Sequence, residues 1–283
     1  MTLPNFLGIG AAKCGTTWMY RLLQQHPQIY VPSKRKEIDF FCQDNNYERG
    51  FDWYETFFPD AQEARQYSAI GEFSPRYMNT TKSARRIAEV KSVEKLIVML
   101  RDPAKRTYSQ YTHAVRNGYS KSFQDFIVER PDVIERSLYS QKLEPFLDLF
   151  APEQFCYFIF EDAVKDVPAT QKKLANFLNV NPERFLDQNG PAKANSSYVP
   201  KYKWLNSKIR DLNQILRRGN SLSWIVDLSE TLQIRQLLTK YNSGDKVPPI
   251  SSEMKLSLQD TFDPDIDRLE KILNFSLDKW RSS

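Results

Sequence analysis

Small residues and one lysine near the start of the chain form a pattern that suits anion binding. Three of the nine glycines, Gly8, Gly10 and Gly15, lie within the first fifteen residues. They belong to the segment FLGIGAAKCGTTWMYRLL, which is typical of an apolar strand, a turn of small residues and an amphipathic helix. Such a turn directs backbone N–H groups and the positive end of the helix dipole towards an anion. The pattern predicts a phosphate-binding turn, and a purely structural strand-to-helix turn is the alternative.

This turn differs from the Walker A motif of nucleoside triphosphatases. Gly10 and Gly15 have the Walker spacing, but Thr16 stands where that motif requires a lysine. The lysine is instead Lys13, two residues before the second glycine. The difference disfavours a nucleotide kinase or hydrolase, although it leaves that class open as an alternative.

A second candidate anion ligand follows an apolar run further along the chain. The segment KLIVMLRDPAKRTYSQY predicts a buried strand that ends at Arg101 and a helix that begins at Pro103 and carries Ser109. Because ligands collect at the carboxyl ends of parallel strands, we expect Arg101 beside the first turn, with Ser109 facing the same crevice. A guanidinium group can donate two parallel hydrogen bonds to a phosphate. A structural pair of Arg101 with Asp102 is the alternative.

These ligands need a parallel sheet with helices to bring them together. The chain has 283 residues, of which 41% are hydrophobic and 27% charged, so it can form a core without disulfides or metal. The predicted strands are 5–9, 68–73, 95–100 and 155–160. The predicted helices are 16–25, 80–90, 103–116, 138–150, 169–178, 229–241 and 263–273.

This alternation predicts an α/β fold, with a P-loop-like central parallel sheet flanked by helices. After about residue 200 the pattern is entirely helical. No repeat or linker divides the chain, so we expect a single domain over 1–283, with an α/β core over 1–200 and a helical extension over 201–283 packed on it.

Scarce residue types exclude several other chemistries. Two histidines and three scattered cysteines, without a Cys-x-x-Cys pair, predict no metal site and no disulfide scaffold. The first residues lack a cationic leader, and the strongest apolar run, Leu96 to Leu100, is too short to cross a bilayer. We therefore expect a cytoplasmic protein without a membrane span. A net charge of +5 suits an anionic ligand but is too small to predict nucleic acid as a partner.

Taken together, these segments resemble the PAPS-dependent sulfotransferases, the family typified by the heparan sulfate sulfotransferases and their bacterial relatives. The similarity covers most of the chain. It rests on ordered landmarks, which are KCGTT at 13–17, LLQQHP at 22–27, KEIDFF at 36–41, GEFSPRY at 71–77, RDP at 101–103 and SQY at 109–111.

The resemblance implies a cofactor, reaction and site. The cofactor would be 3′-phosphoadenosine 5′-phosphosulfate (PAPS), whose sulfuryl group passes to an acceptor hydroxyl or amine without a metal and leaves 3′-phosphoadenosine 5′-phosphate (PAP). Lys13 would stabilise charge on the leaving phosphate oxygen, and Glu37 would take the proton of the acceptor. Arg101 and Ser109 would bind the 3′-phosphate. The residues expected to bind the 5′ side, mostly through backbone N–H groups, are Lys13, Cys14, Gly15, Thr16, Thr17 and Trp18.

Two departures from the family pattern concern the acceptor and the nucleotide. Phe73 stands where the heparan sulfate enzymes often have a lysine, so a second cation near the acceptor is missing unless Arg76 replaces it. The late loop that closes over the nucleotide is NSSYVPK at 195–201 in this chain. Ser197, Tyr198 and Lys201 are its expected cofactor contacts, with an ordinary polar loop as the alternative.

The sequence thus favours a sulfotransferase whose acceptor is a carbohydrate, a glycolipid or a carrier-bound metabolite. Two alternatives from other classes stay open at this point. One is a P-loop nucleotide kinase or hydrolase, and the other is a non-catalytic module that binds a nucleotide or a polyanion.

Overall fold

A computed structural model describes residues 2–191 and 248–281, together with the backbone of the short strands Tyr198–Pro200 and Ser243–Lys246. The predicted helix 229–241 and the candidate ligands Ser197 and Lys201 lie outside the described residues. Of Tyr198, only the backbone is described.

A five-stranded parallel sheet positions the candidate site. Its strands are β1 (Phe6–Gly10), β2 (Ile29–Tyr30), β3 (Ala69–Phe73), β4 (Lys95–Leu100) and β5 (Phe155–Ile159). They lie in the order β2-β3-β1-β4-β5, and every neighbouring pair is parallel. The connections therefore change direction between β1 and β4, and ligands of open α/β sheets bind at such a switch point.

The central strands are buried on both faces, as expected for a parallel sheet covered by helices. All residues of β1 and β3 are buried, and so are Leu96 to Leu100 of β4. The first α-helices of the chain are α1 (Thr16–Gln24), α2 (Asp44–Tyr47), α3 (Gly50–Glu55), α4 (Thr81–Ala88), α5 (Pro103–Arg116) and α6 (Phe123–Glu129). Those that follow are α7 (Asp132–Glu135), α8 (Tyr139–Leu147), α9 (Phe160–Ala163), α10 (Val167–Leu178), α11 (Ser252–Leu256) and α12 (Gln259–Leu273).

Local signals explain several helix ends. The Thr80 hydroxyl accepts a hydrogen bond from the Ser83 N–H and caps α4, and the Asp166 carboxylate caps α10 in the same way. Asn179 ends α10 in the left-handed conformation. The α/β fold with a parallel sheet and helices after residue 250 is therefore confirmed.

The chain forms two compact units, each assembled from separate segments. The first unit contains the sheet and comprises Met1–Arg106, Glu135–Ala194 and Leu256–Ser283. In it, the buried Asp265 of α12 accepts a hydrogen bond from the Ser140 N–H of α8 at 3.2 Å. This grouping places α12 in the same unit as the sheet.

The second unit comprises Thr107–Ile134 and Asn195–Lys255. It contains strands β6 (Tyr198–Pro200) and β7 (Ser243–Lys246), which pair antiparallel. The expectation of an entirely helical chain after residue 200 is wrong at β7. The sequence of β7, SGDK, lacks the β-branched and aromatic residues that favour strands, so pairing with β6 defines it rather than local propensity.

Candidate active site

The predicted phosphate-binding turn joins β1 to α1 in the first unit. The Ala11 N–H donates to the Met99 carbonyl of β4 at 2.7 Å, which fixes the start of the turn against the neighbouring strand. Gly15 precedes α1 with φ of 83°, and a Cβ atom there would lie 2.1 Å from the Phe160 ring. Both the backbone conformation and the space require glycine at this position.

The start of α1 suits an anion. Among the described residues no side chain caps this helix, and its first turn contains no acidic residue. The backbone N–H groups of Trp18 and Met19 donate to the Gly15 carbonyl, and Trp18 is 4% exposed. Trp18 therefore packs in the core, and the positive end of the helix dipole lies at Gly15 to Thr17.

Two arginines hold the carbonyl groups of the turn. The Arg106 Nε donates to the Ala12 carbonyl at 3.1 Å, and the Arg101 Nη1 donates to the Lys13 carbonyl at 3.5 Å. Arg106 is 1% exposed, and sequence analysis did not single it out. These contacts fix the turn, whose Lys13 has a left-handed φ of 72°.

Cys14 is a structural residue of the turn rather than a nucleophile. Its Sγ lies 3.3 Å from the hydroxyl of Tyr139, which in turn donates to the Arg101 carbonyl. Burial raises the pKa of the Cys14 thiol to about 11. The thiol is therefore protonated at neutral pH, and a thiolate is the nucleophilic form.

Arg101 lies at the carboxyl end of β4, as the sequence predicted. Its Nε lies 3.6 Å from Oε1 of Glu161, a residue of α9, and its Cζ lies 5.3 Å from the centre of the Phe160 ring. Within the described part of the chain, this Nε and both carboxylate oxygens of Glu161 are buried without a hydrogen-bond partner. The two groups therefore form an ion pair whose separation is longer than a hydrogen bond. Burial also raises the pKa of Glu161.

Glu37 lies next to the start of α1 because Lys36 connects them. The Lys36 Nζ lies 2.9 Å from the Glu37 Oε1, 3.3 Å from the Thr16 Oγ1 and 3.2 Å from the Thr17 Oγ1. The Glu37 side chain is 41% exposed, so its carboxylate is accessible to an acceptor. Lys36 therefore links Glu37, the candidate base, to the candidate anion-binding turn, although the two belong to separate segments of the sequence.

A buried carboxylate supports the segment that carries Glu37. Glu72 is 0% exposed at the end of β3 and accepts hydrogen bonds from the hydroxyls of Tyr54, Ser74 and Tyr77. The Ser74 Oγ accepts from the Asp39 N–H at 3.0 Å, and the Tyr77 hydroxyl accepts from the Phe40 N–H at 3.1 Å. Glu72 therefore fixes the backbone just beyond Glu37 through two bridging hydroxyls.

Burial raises the pKa of Glu72 to about 7, an effect that its three hydroxyl donors oppose. Desolvation disfavours the charged form, whereas hydrogen bonds to the carboxylate favour it. The group is consequently poised between its two protonation states near neutral pH.

The structure accounts for the phenylalanine at the family's lysine position. Phe73 is 0% exposed and lies over Gly8, where a Cβ atom would be 2.2 Å from its ring. Arg76 forms an ion pair with Asp39 at 3.0 Å while its side chain is 51% exposed. Phe73 is thus a core residue, and the cation in contact with the Glu37 carboxylate is Lys36.

The first unit therefore brings together Lys13 to Thr17, Glu37 and Arg101. Ser109 lies on the part of α5 that belongs to the second unit and is partly exposed. Over residues 2–191 and 248–281, no cluster of histidine, cysteine, aspartate or glutamate could hold a metal ion. In the same part of the chain, no helix has the length and apolarity needed to span a membrane.

The first unit has an α/β fold with a parallel sheet and a candidate anion-binding turn between β1 and α1. The model of the sulfotransferase domain family matches residues 3–265, so the chain belongs to the sulfotransferase family. The resemblance seen in the sequence is confirmed.

Curated relatives agree with this assignment. The chain is 39% identical over 142 residues to the membrane-associated sulfotransferase kil1 of Dictyostelium discoideum, covering 48% of this chain and 30% of that protein. It is 30% identical over 194 residues to mouse heparan sulfate glucosamine 3-O-sulfotransferase 5, covering 64% of this chain and 54% of the relative. The chain thus spans about half or less of the length of these relatives.

One solved structure shares the fold over the whole length. The sulfotransferase from Alicyclobacillus acidocaldarius covers 100% of both chains with a TM-score of 0.70 and 23% sequence identity. This similarity agrees with the parallel sheet and its flanking helices.

Proposed function

We propose that the chain transfers the sulfuryl group of PAPS to a hydroxyl or amine group of an acceptor by in-line displacement. The observation that carries this proposal is the position of Glu37, whose carboxylate is connected through Lys36 to the first turn of α1. A proton acceptor thereby lies beside an anion-binding turn. Sulfuryl transfer needs both features at one place, since it needs alignment of the groups and removal of a proton.

The residues of the first unit fit the cofactor. The uncapped start of α1 offers backbone N–H groups to the 5′ side, together with the side chains of Thr16 and Thr17. Arg101, at the carboxyl end of β4, offers its guanidinium group to the 3′-phosphate. Lys13 supplies a positive charge at the turn itself. The geometry thus supplies donors for two anionic groups, which distinguishes PAPS from adenosine phosphosulfate.

PAPS supplies the activated sulfuryl group when it is bound. The new bond forms between the acceptor oxygen or nitrogen and sulfur, and the bond between sulfur and the 5′-phosphate oxygen breaks. Glu37 accepts the proton that the acceptor loses, and Lys13 stabilises the charge that develops on the phosphate oxygen. Thr16 and Thr17 orient this phosphate at the start of α1.

We infer that the acceptor is a carbohydrate, a glycolipid or a carrier-bound metabolite. The names of the relatives support the carbohydrate class, since heparan sulfate glucosamine 3-O-sulfotransferase 5 is among them. The exposure of Glu37 supports an acceptor that approaches from solvent, because 41% of this side chain is accessible.

The test is a transfer assay with radiolabelled PAPS. Glycosaminoglycan oligosaccharides, glycolipids and small phenols serve as separate acceptors, and the expected result is a labelled product in one class together with release of PAP. The Glu37→Gln variant is the matched control and should give about a hundredfold less labelled product. Turnover of ATP that requires magnesium, with none of PAPS, would instead support a nucleotide kinase or hydrolase.

A further inference from the structure

Lys36 occupies a position between the candidate base and the anion-binding turn. Its ammonium group has three donors, and the structure places one oxygen near each of them, those of Thr16, Thr17 and Glu37. The side chain is 18% exposed, whereas the neighbouring Lys34 is exposed. Lys36 therefore differs from Lys34, two residues earlier in the same basic segment, in both its burial and its contacts.

The position of Glu37 poses an electrostatic problem. A carboxylate near the start of α1 repels any anion bound there, and the repulsion is strong where the surroundings are partly desolvated. PAPS and PAP each carry several negative charges, so an unscreened Glu37 would weaken their binding. A cation in contact with the Glu37 carboxylate would offset this repulsion.

The other cations near this segment have different partners. Arg76 forms an ion pair with Asp39 at 3.0 Å. Arg35 donates from Nε to the carbonyl, not the carboxylate, of Glu37, and its Cζ lies 5.8 Å from the centre of the Trp53 ring. In the part of the chain that the structure describes, the Lys36 ammonium contacts both the Glu37 carboxylate and the threonine hydroxyls in the first turn of α1.

We propose that Lys36 is a second cation of the transfer site, which holds the Glu37 carboxylate beside the start of α1 and offsets its repulsion of the anionic cofactor. This inference rests on the proposed function. It also explains how the chain functions with Phe73 at the family's lysine position, since the cation comes from the segment of the base instead of the end of β3.

A double-mutant cycle tests the inference without any acceptor. Calorimetry measures the affinity for PAP of the wild type, Lys36→Met, Glu37→Gln and the double variant. Lys36→Met should lower the affinity for PAP by about tenfold or more, because the negative charge of the Glu37 carboxylate is then no longer offset by Lys36. In the Glu37→Gln background the same substitution should lower the affinity for PAP by less than about threefold, since the negative charge at position 37 is already absent.

Two further variants serve as controls. Lys34→Met removes an equal charge from the same run and should leave the affinity within about twofold. Lys36→Arg keeps the charge and should recover most of the affinity lost in Lys36→Met. Thermal unfolding shows whether each variant is folded, and Lys36→Gln replaces Lys36→Met if the latter is not. An ion pair this close to solvent contributes little to stability, so we expect folded variants.

The outcomes separate the two proposals. Equal losses in both backgrounds, or a change of less than about twofold in Lys36→Met, would overturn the role of Lys36 while leaving PAP as the ligand. A wild-type protein that does not bind PAP would overturn the proposed function and this inference together.

Discussion

Glu37 and Glu72 of the first unit are suited to different roles because their surroundings differ. Glu37 is 41% exposed and contacts a lysine, whereas Glu72 is 0% exposed and contacts three hydroxyls. The first can exchange a proton with an acceptor, and the second can fix backbone. The KEIDFF segment identifies Glu37 in the sequence. No pattern in the sequence indicates a role for Glu72, because its partners Tyr54 and Tyr77 are brought to it only by the fold.

We predict that Glu37→Gln lowers transfer from PAPS by about a hundredfold or more, because a positioned base contributes this much. The affinity for PAP should be retained, since the substitution removes a negative charge and no donor. Transfer kinetics and calorimetry measure the two effects. Glu48→Gln, at an exposed position, is the control. Undiminished transfer in Glu37→Gln would exclude this residue as the base.

We predict that Arg101→Ala lowers the affinities for PAPS and for PAP by about ten- to a hundredfold. This is the loss expected when charge-assisted hydrogen bonds to a phosphate are removed. Calorimetry with both nucleotides measures it. Arg85→Ala, on the exposed side of α4, is the matched control. The role of Arg101 is contradicted if adenosine 5′-phosphate and PAP lose equal affinity, because only the latter carries a 3′-phosphate.

At the scale of elements, the strands were predicted more closely than the contacts between them. The predicted strand 95–100 matches β4 at both ends because its apolar run is bounded by charged residues. The two-residue strand β2 was missed, since Ile29 and Tyr30 are too few to form a pattern. Arg106 and Glu161 were also missed. Their roles depend on the Ala12 carbonyl and the Arg101 side chain, which lie far away in the sequence.

The turn before α1 gives a prediction about Gly15. Gly15→Ala should lower both stability and PAP affinity, because the new Cβ atom would lie 2.1 Å from the Phe160 ring. Gly50→Ala is the matched control, since Gly50 has φ of 79° and nothing within 4 Å of a Cβ atom. The control should cost about 1 kcal/mol from backbone strain alone. Chemical denaturation compares them, and equal costs would contradict the importance of Phe160.

The network at the end of β3 gives a prediction about pH. The pKa of Glu72 is raised from 4.5 to about 7 by burial, so the folded state holds its proton more tightly than the unfolded state. The contribution of this group to the free energy of unfolding is therefore full below pH 4.5 and is lost as the pH rises towards 7. The loss is on the order of 3 kcal/mol.

Denaturation of the wild type and Glu72→Gln at several pH values measures this effect. Other groups titrate in both proteins, so the difference between the two isolates Glu72. We expect the wild type to lose stability relative to Glu72→Gln across this interval. Parallel stability curves for the two proteins would show that Glu72 keeps an ordinary pKa.

At the scale of the whole molecule, the sheet unit includes α12, which is distant in the sequence from the five strands. The helical character of residues 263–273 was predicted, and α12 extends it to Gln259–Leu273. Its assignment to the sheet unit could not be derived from periodicity, which identifies an apolar face but not the element that covers it. Nothing in the sequence indicates that Asp265 is buried and hydrogen-bonded, because its partner Ser140 lies far away in the sequence, in α8.

We predict that Leu269→Ala lowers the free energy of unfolding by about 2–5 kcal/mol, since this side chain is 0% exposed on α12. Leu256→Ala, at a position that is 58% exposed, should cost less than about 1 kcal/mol. Chemical denaturation followed by circular dichroism measures both. A similar cost for the two variants would show that α12 is not part of the core.

The discontinuous make-up of the sheet unit has a consequence for biosynthesis. While the ribosome is still translating the codons for α12, the nascent polypeptide already displays the five strands, but the surface of α8 that α12 covers is still open. Translation proceeds at about 5–20 residues per second, so this interval lasts for seconds. Until α12 has emerged, chaperone binding should therefore concentrate on the surface of α8 that α12 later covers.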